Sequence, residues 1–226
     1  MHSKSPSVMA FCLVCLGILA KNMPKHLAGY YLLNSYNFIL TSEEDFIMEF
    51  QKLIETRRTI RKYAADSEVT REQMEALIRA AQEAPSWKNS ETGRYYCVLS
   101  REMVDKIRAT CLPGARNAEK SENAALIVTT FVHDRAGFQK DGTADNELGN
   151  GWGCYDLGLQ NENLILKAAD MGLSTLIMGL READKLRELL DIPDTETIVA
   201  VIAVGKADES PNRPPRKELN EIARFF

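Results

Sequence analysis

The chain has 226 residues, 45% hydrophobic and 27% charged, a composition ordinary for one globular domain large enough to bury a substantial core. A net charge of -4 and a pI near 5.6, with no long stripe of Lys and Arg, exclude a general nucleic-acid binder. Cys12, Cys15, Cys97, Cys111 and Cys154 are widely spread and fit free thiols in a reducing cell, and histidine only as His2, His26 and His133 leaves no zinc cluster to assemble.

In chain order, residues 1–47 stand apart from the rest. A weakly basic start leads into the apolar run Val8–Ala20, which has signal-peptide length and is too short to span a bilayer comfortably. Cys12 and Cys15 have redox-motif spacing but lack the strand-to-helix context of such a motif. Ile18-Leu19-Ala20 makes a poor cleavage site, so the reading adopted is a start codon placed too early, with translation from Met48 and a cytoplasmic protein. An export signal stays open as the alternative.

From Met48 an amphipathic pattern begins. Phe50, Leu53 and Ile54 at i, i+3, i+4 predict a helix to about Arg61, whose core-facing stripe then runs through Arg57, Arg58 and Arg61. Guanidinium groups there must meet either an anion, for which their fixed donor forks suit a phosphate, or water at a solvated helix end. A capping box at Thr70 to Gln73 and the apolar positions Met74, Leu77, Ile78 and Ala81 predict a helix over 71–83 that Pro85 ends. The loop Pro85-Ser86-Trp87-Lys88-Asn89-Ser90 offers a hydroxyl, an amide and backbone donors beside a flat aromatic, groups suited to lining a planar ligand.

Further on, the pattern predicts a strand at 94–99, a helix at 101–110, a strand at 125–132, a long polar loop, a helix at 153–171, strands at 174–178 and 197–204, and a helix at 182–190 between them. This order alone describes a central sheet covered by helices. In the tail, prolines hold Asn212-Arg213-Pro214-Pro215-Arg216-Lys217 extended, so that Arg216 and Lys217 are presented at a fixed place, unless the run is an ordinary solubilising segment.

Four pieces, in this order, carry a likeness: Arg57 to Arg61, the Pro85-Ser86 to Asn89-Ser90 loop, the stretch Asp156–Thr175 leading to Gly179, and the late pair Arg216-Lys217. Together they resemble the FMN-dependent nitroreductase family from about Met48 to Phe226. The chain departs from that pattern at Glu91-Thr92-Gly93, where many members read Gln-Pro-Trp, and at Met178, where some carry an acidic residue.

The resemblance implies an α+β fold, a nitroreductase-like three-layer sandwich whose central, mostly antiparallel sheet is flanked by helices. It also implies a domain-exchanged homodimer with two flavins at the interface and a crossing C-terminal arm, here Leu219 to Phe226. The implied cofactor is FMN with NADH or NADPH as reductant, in a ping-pong cycle in which hydride passes through flavin N5 to an electron-poor small molecule such as a nitroaromatic or a quinone. On this likeness Arg57, Arg58, Thr59, Arg216 and Lys217 hold the ribityl phosphate, while Arg61 and Asn117 approach the pyrimidine edge. Pro85, Ser86, Trp87 and Asn89 come from the partner subunit, and the Ile177-Met178-Gly179 backbone faces N5. Phe138 and Trp152, in the loop after the 125–132 strand, are candidates for stacking on substrate. The same scaffold serves dehalogenation and azoline oxidation, and a non-catalytic flavin-binding module is the alternative from another class.

Overall fold

The computed structural model describes residues 50–226. The 1–47 extension, with Cys12 and Cys15, and the Met48 start lie outside the described residues. The chain divides into two compact units, Met1–Glu55 and Thr56–Phe226. Of the first, residues 50–55 are helical, with Phe50 and Ile54 exposed.

The second unit is built on four strands: β1 (Gly93–Val98), β2 (Ala125–Val132), β3 (Ser174–Met178) and β4 (Glu196–Gly205). They form one sheet in the order β1-β2-β4-β3 with every pairing antiparallel. Helices α1 (Arg71–Gln82), α2 (Arg101–Thr110), α3 (Gly114–Lys120), α4 (Gly151–Asp170), α5 (Ala183–Leu190) and α6 (Leu219–Ile222) complete it.

The sheet is buried on both faces because its central strands are mostly apolar on both sides, with Thr129, Thr130 and Glu196 buried as hydrogen-bonded exceptions, and alternation then divides their side chains between two cores. Leu126, Val128, Val201 and Ala203 pack with Val104, Ile107 and Leu186 of α2 and α5. Ala125, Ile127, Ile202 and Val204 pack with Met74, Leu77 and Ala81 of α1 and with Leu164, Ile165 and Ala168 of α4. The expected three-layer α+β arrangement is thus the observed one.

Two local expectations are corrected. Helical structure ends at Thr56, so Arg57, Arg58 and Arg61 do not lie on a helix stripe. Thr59 forms a bridge with Thr175 of β3, Ile60 donates its N–H to the Thr175 carbonyl at 3.1 Å, and Ile60 and Tyr63 are buried in the first core. Sheet hydrogen bonds and two β-branched side chains outweigh the continuation of the helix. The long loop after β2 is also more ordered than its composition predicts, since Phe138 bridges Ala144 and Gln139 N–H bonds Thr143 O at 2.8 Å to close a small hairpin. Helix α3 is absent from the sequence reading.

Candidate functional site

The basic segment and the tail are tied together at their bases. Tyr63 bridges Ala207, Ala64 N–H bonds Lys206 O at 3.0 Å, and Asp208 N–H bonds Lys62 O at 2.9 Å. Lys62 and Asp208 form an ion pair at 2.7 Å, and Glu209 accepts the Arg61 N–H. From this knot Arg57, Arg58 and Thr59, all half-buried, lead back along β3, while the chain after Glu209 leads to exposed Arg216 and Lys217.

The charges here are poorly neutralised. Among the described residues the guanidinium groups of Arg57 and Arg61 and the Lys217 ammonium have no carboxylate partner, and Arg216 bonds only the Pro214 and Pro215 carbonyls, at 3.2 and 3.4 Å. Arg58 donates to the Arg57 carbonyl at 2.8 Å. Such a donor set suits an anionic group with several acceptor oxygens.

At the far end of β3, Met178 is buried whereas Ile177 is 47% exposed, and a Cβ added at Gly179 would meet nothing within 4 Å. The backbone at Gly179 therefore opens onto free space. Asn117 of α3 reaches this turn and donates to the Leu180 carbonyl at 3.0 Å, so its amide already clamps the turn whose backbone was expected to face the ligand. Arg181 donates to Ile198 O, and its buried Nε is left without a partner.

The Pro85–Asn89 loop lies elsewhere. It follows α1, forms a 3₁₀ turn at Trp87–Asn89 and feeds β1, with left-handed φ values of 48°, 52° and 47° at Lys88, Asn89 and Glu91. Ser86 Oγ accepts the Glu91 N–H at 3.1 Å, and Asn89 donates to Glu91 Oε1 at 3.0 Å. Pro85 and Asn89 are exposed, while Ser86 and Trp87 are half-buried.

One row of α4 holds this loop. Trp152, Asp156 and Gln160 follow one another at i, i+4 and i+8 and so share a face. Trp152 packs on Trp87 with ring centroids 4.4 Å apart, Asp156 accepts the Trp87 N–H at 2.8 Å, and Gln160 accepts from the Tyr95 hydroxyl of β1 at 3.0 Å. Gly93 permits the last contact, because a Cβ there would stand 1.9 Å from Gln160 Oε1. Lys88 pairs with Asp145 at 3.0 Å, and Trp152 Nε1 donates to Asn146 at 2.8 Å, which joins the 134–150 segment to the same cluster. Tyr155, 60% exposed, meets the Trp152 edge at 5.7 Å. Phe138 is half-buried in its hairpin, facing Gly149.

The expected residues are therefore gathered into two groups, one at β3 and one at β1. These strands are the opposite edges of the sheet, three strand spacings or about 14 Å apart. Asp156, Lys88 and Tyr155 were missed by the sequence reading. The available signal was polar Asp156 and Gln160 standing on the row that continues through buried Leu164 and Ala168.

Burial pushes the Cys97 and Cys154 thiols up, which keeps them protonated at neutral pH, and among the described residues no His, Cys, Asp and Glu group is arranged to hold a metal. No helix among the described residues is long and apolar enough to cross a membrane.

The sequence model of the Nitroreductase family matches residues 54–206. The chain belongs to the nitroreductase family. A protein of Archaeoglobus fulgidus, whose name carries the words NADH dehydrogenase/NAD(P)H nitroreductase, is 30% identical over 166 residues, covering 70% of this chain and 84% of its own. The NADPH-flavin oxidoreductase of Vibrio harveyi is 29% identical over 163 residues, covering 70% and 66%. Among solved structures, a nitroreductase family protein from Streptococcus pneumoniae superposes with a TM-score of 0.67 at 21% identity, over 78% of this chain and all of that one, which establishes the shared fold.

Proposed function

We propose that this nitroreductase-family chain works as an FMN-dependent NAD(P)H oxidoreductase on electron-poor small molecules such as nitroaromatics or quinones. The observation that carries the reading is the pair of basic segments tied together at Tyr63 and Ala207, in which Arg57, Arg61 and Lys217 have no carboxylate partner among the described residues, with an open Gly179 turn at the other end of β3. Relatives named as an NADPH-flavin oxidoreductase and an FMN reductase support it.

Arg57, Arg58, Thr59, Arg216 and Lys217 would hold the FMN phosphate, Arg61 would place positive charge near the pyrimidine edge, and Asn117 would fix the Gly179 turn. The bound FMN would supply hydride-transfer chemistry between NADH or NADPH and the second substrate, which on the ping-pong reading would take turns at one face. The protein's own work is to bind, to orient and to keep a stacking slot open.

The edge-to-edge separation of the two residue groups supports a homodimer in which Pro85, Ser86, Trp87 and Asn89 complete the partner's site. Leu219, Ile222, Phe225 and Phe226, all exposed, supply an apolar arm for the same contact. Trp152 and Phe138 form the wall beside the acceptor, Trp152 through its packing on Trp87. Residues 48–226 make up the functional domain, and a fragment beginning at Met48 is expected to keep full activity.

Anaerobic oxidation of NADH and NADPH by the FMN-loaded protein, with and without a panel of nitroaromatics and quinones, tests this. Acceptor-dependent turnover is expected. A protein that binds FMN but leaves NAD(P)H unoxidised with every acceptor would contradict the enzymatic reading.

A further inference from the structure

Asp156 is the one carboxylate of α4 on the Trp152–Gln160 row, and it is only 3% exposed. Its Oδ2 takes the Trp87 N–H, the amide that opens the 3₁₀ turn. The turn has no other anchor of this kind, because the preceding Ser86 gives it no side-chain cap. Two consecutive left-handed residues follow, Lys88 and Asn89, a backbone that non-glycine residues adopt only when their surroundings hold them there. The Trp87 ring packs on Trp152, one helical turn before Asp156. Trp87 is thus gripped at its backbone and at its ring by two residues of one helix row, and the neighbouring Lys88 adds an ion pair through its exposed side chain to Asp145.

We propose that Asp156 is a positioning residue for the flavin site of the neighbouring subunit, acting through the Trp87 amide to hold the Pro85–Asn89 loop in the shape that site requires. This rests on the dimeric reading given above. Asp156 sits with the β1 edge of its own subunit, far from the cations at β3, so its influence falls on the partner's cofactor and not on its own.

Two measurements isolate the role. The chain has two tryptophans, Trp87 and Trp152, so its tryptophan emission, excited selectively over tyrosine, reports this cluster alone. Asp156→Ala is expected to shift that emission and to weaken FMN binding roughly tenfold, the scale of one lost hydrogen bond to a charged acceptor, with far-ultraviolet dichroism unchanged. Asp156→Asn, which keeps an acceptor oxygen in place, is expected to restore both. The second measurement uses differently tagged, co-expressed subunits. In a dimer joining a D156A subunit to an R57A/R216A subunit, both lesions fall on one shared site and the other stays intact, so half the wild-type FMN is expected per dimer. With all three substitutions in one subunit and a wild-type partner, each site carries a lesion and tight FMN binding is lost.

The reverse pattern, or D156A homodimers that bind FMN like wild type, would overturn the proposal. Aggregation of Asp156→Ala and Asp156→Ser alike would also contradict it, by making Asp156 a requirement of the fold. Failure of the wild-type protein to bind FMN at all would instead overturn the functional reading on which the proposal stands.

Discussion

Asp156 carries a charge that its surroundings resist. Burial pushes its carboxyl above the usual carboxylate range, against the opposing pull of the Trp87 N–H. The folded state therefore binds this proton more tightly than the unfolded chain does. The associated stability is fully present below the unfolded value, about 3.9, and is lost as pH rises through the folded value. Asp156→Asn, neutral throughout, is expected to be more stable than wild type to urea at neutral pH, the advantage shrinking as pH falls toward 4. A variant less stable than wild type at neutral pH would show that the charge–amide bond outweighs desolvation. At the other group of residues, on the proposed phosphate assignment, Arg57→Ala and Arg216→Ala would each remove a charge-assisted hydrogen bond worth about 1.5–3 kcal/mol, so FMN affinity is expected to fall by roughly tenfold to a hundredfold. Flavin-fluorescence titration measures this, and unchanged affinity in both variants would refute the phosphate assignment.

Among elements, α4 has the most to do, since it covers the sheet, grips the Trp87 loop and leads into β3. Gly153 lets its first turn approach β2, because a Cβ there would lie 2.2–2.9 Å from atoms of the fully buried Phe131 ring. Gly153→Ala is expected to destabilise the protein by ~1–3 kcal/mol despite its better helix propensity, as a shift in urea midpoint would show. The strands β2 and β3 were legible to the residue, because short runs rich in apolar and β-branched residues bounded by turn residues admit few other readings. The Arg57–Arg61 segment was not, since an i, i+3, i+4 pattern cannot register that Thr59 and Ile60 will bond a strand more than a hundred residues away. Helix α3 was hidden because Gly114-Ala115-Arg116-Asn117-Ala118-Glu119-Lys120 has no apolar repeat. The candidate residues of both groups were nominated from residue type, but the contacts that hold the Trp87 loop against α4 could not be. The Trp87–Trp152 packing and the Asp156 bond join positions more than sixty apart in sequence.

On the scale of the whole molecule, the proposed site requires two residue groups at opposite sheet edges to serve one flavin. It does so through a second subunit, with the exposed Leu219, Ile222, Phe225 and Phe226 as the apolar end of the proposed contact. Because ligand that binds only the assembled state also stabilises assembly, FMN is expected to tighten the dimer by mass action. Deleting residues 219–226 spares Arg216 and Lys217 yet is expected to abolish dimer and tight FMN binding together. The most direct measurement is sedimentation velocity of the full-length and deleted proteins, followed by flavin absorbance. The account predicts that flavin travels with the full-length dimer at one FMN per subunit and does not travel with the deleted monomer. Flavin travelling with a monomer would mean that one subunit builds the site alone and would contradict the account.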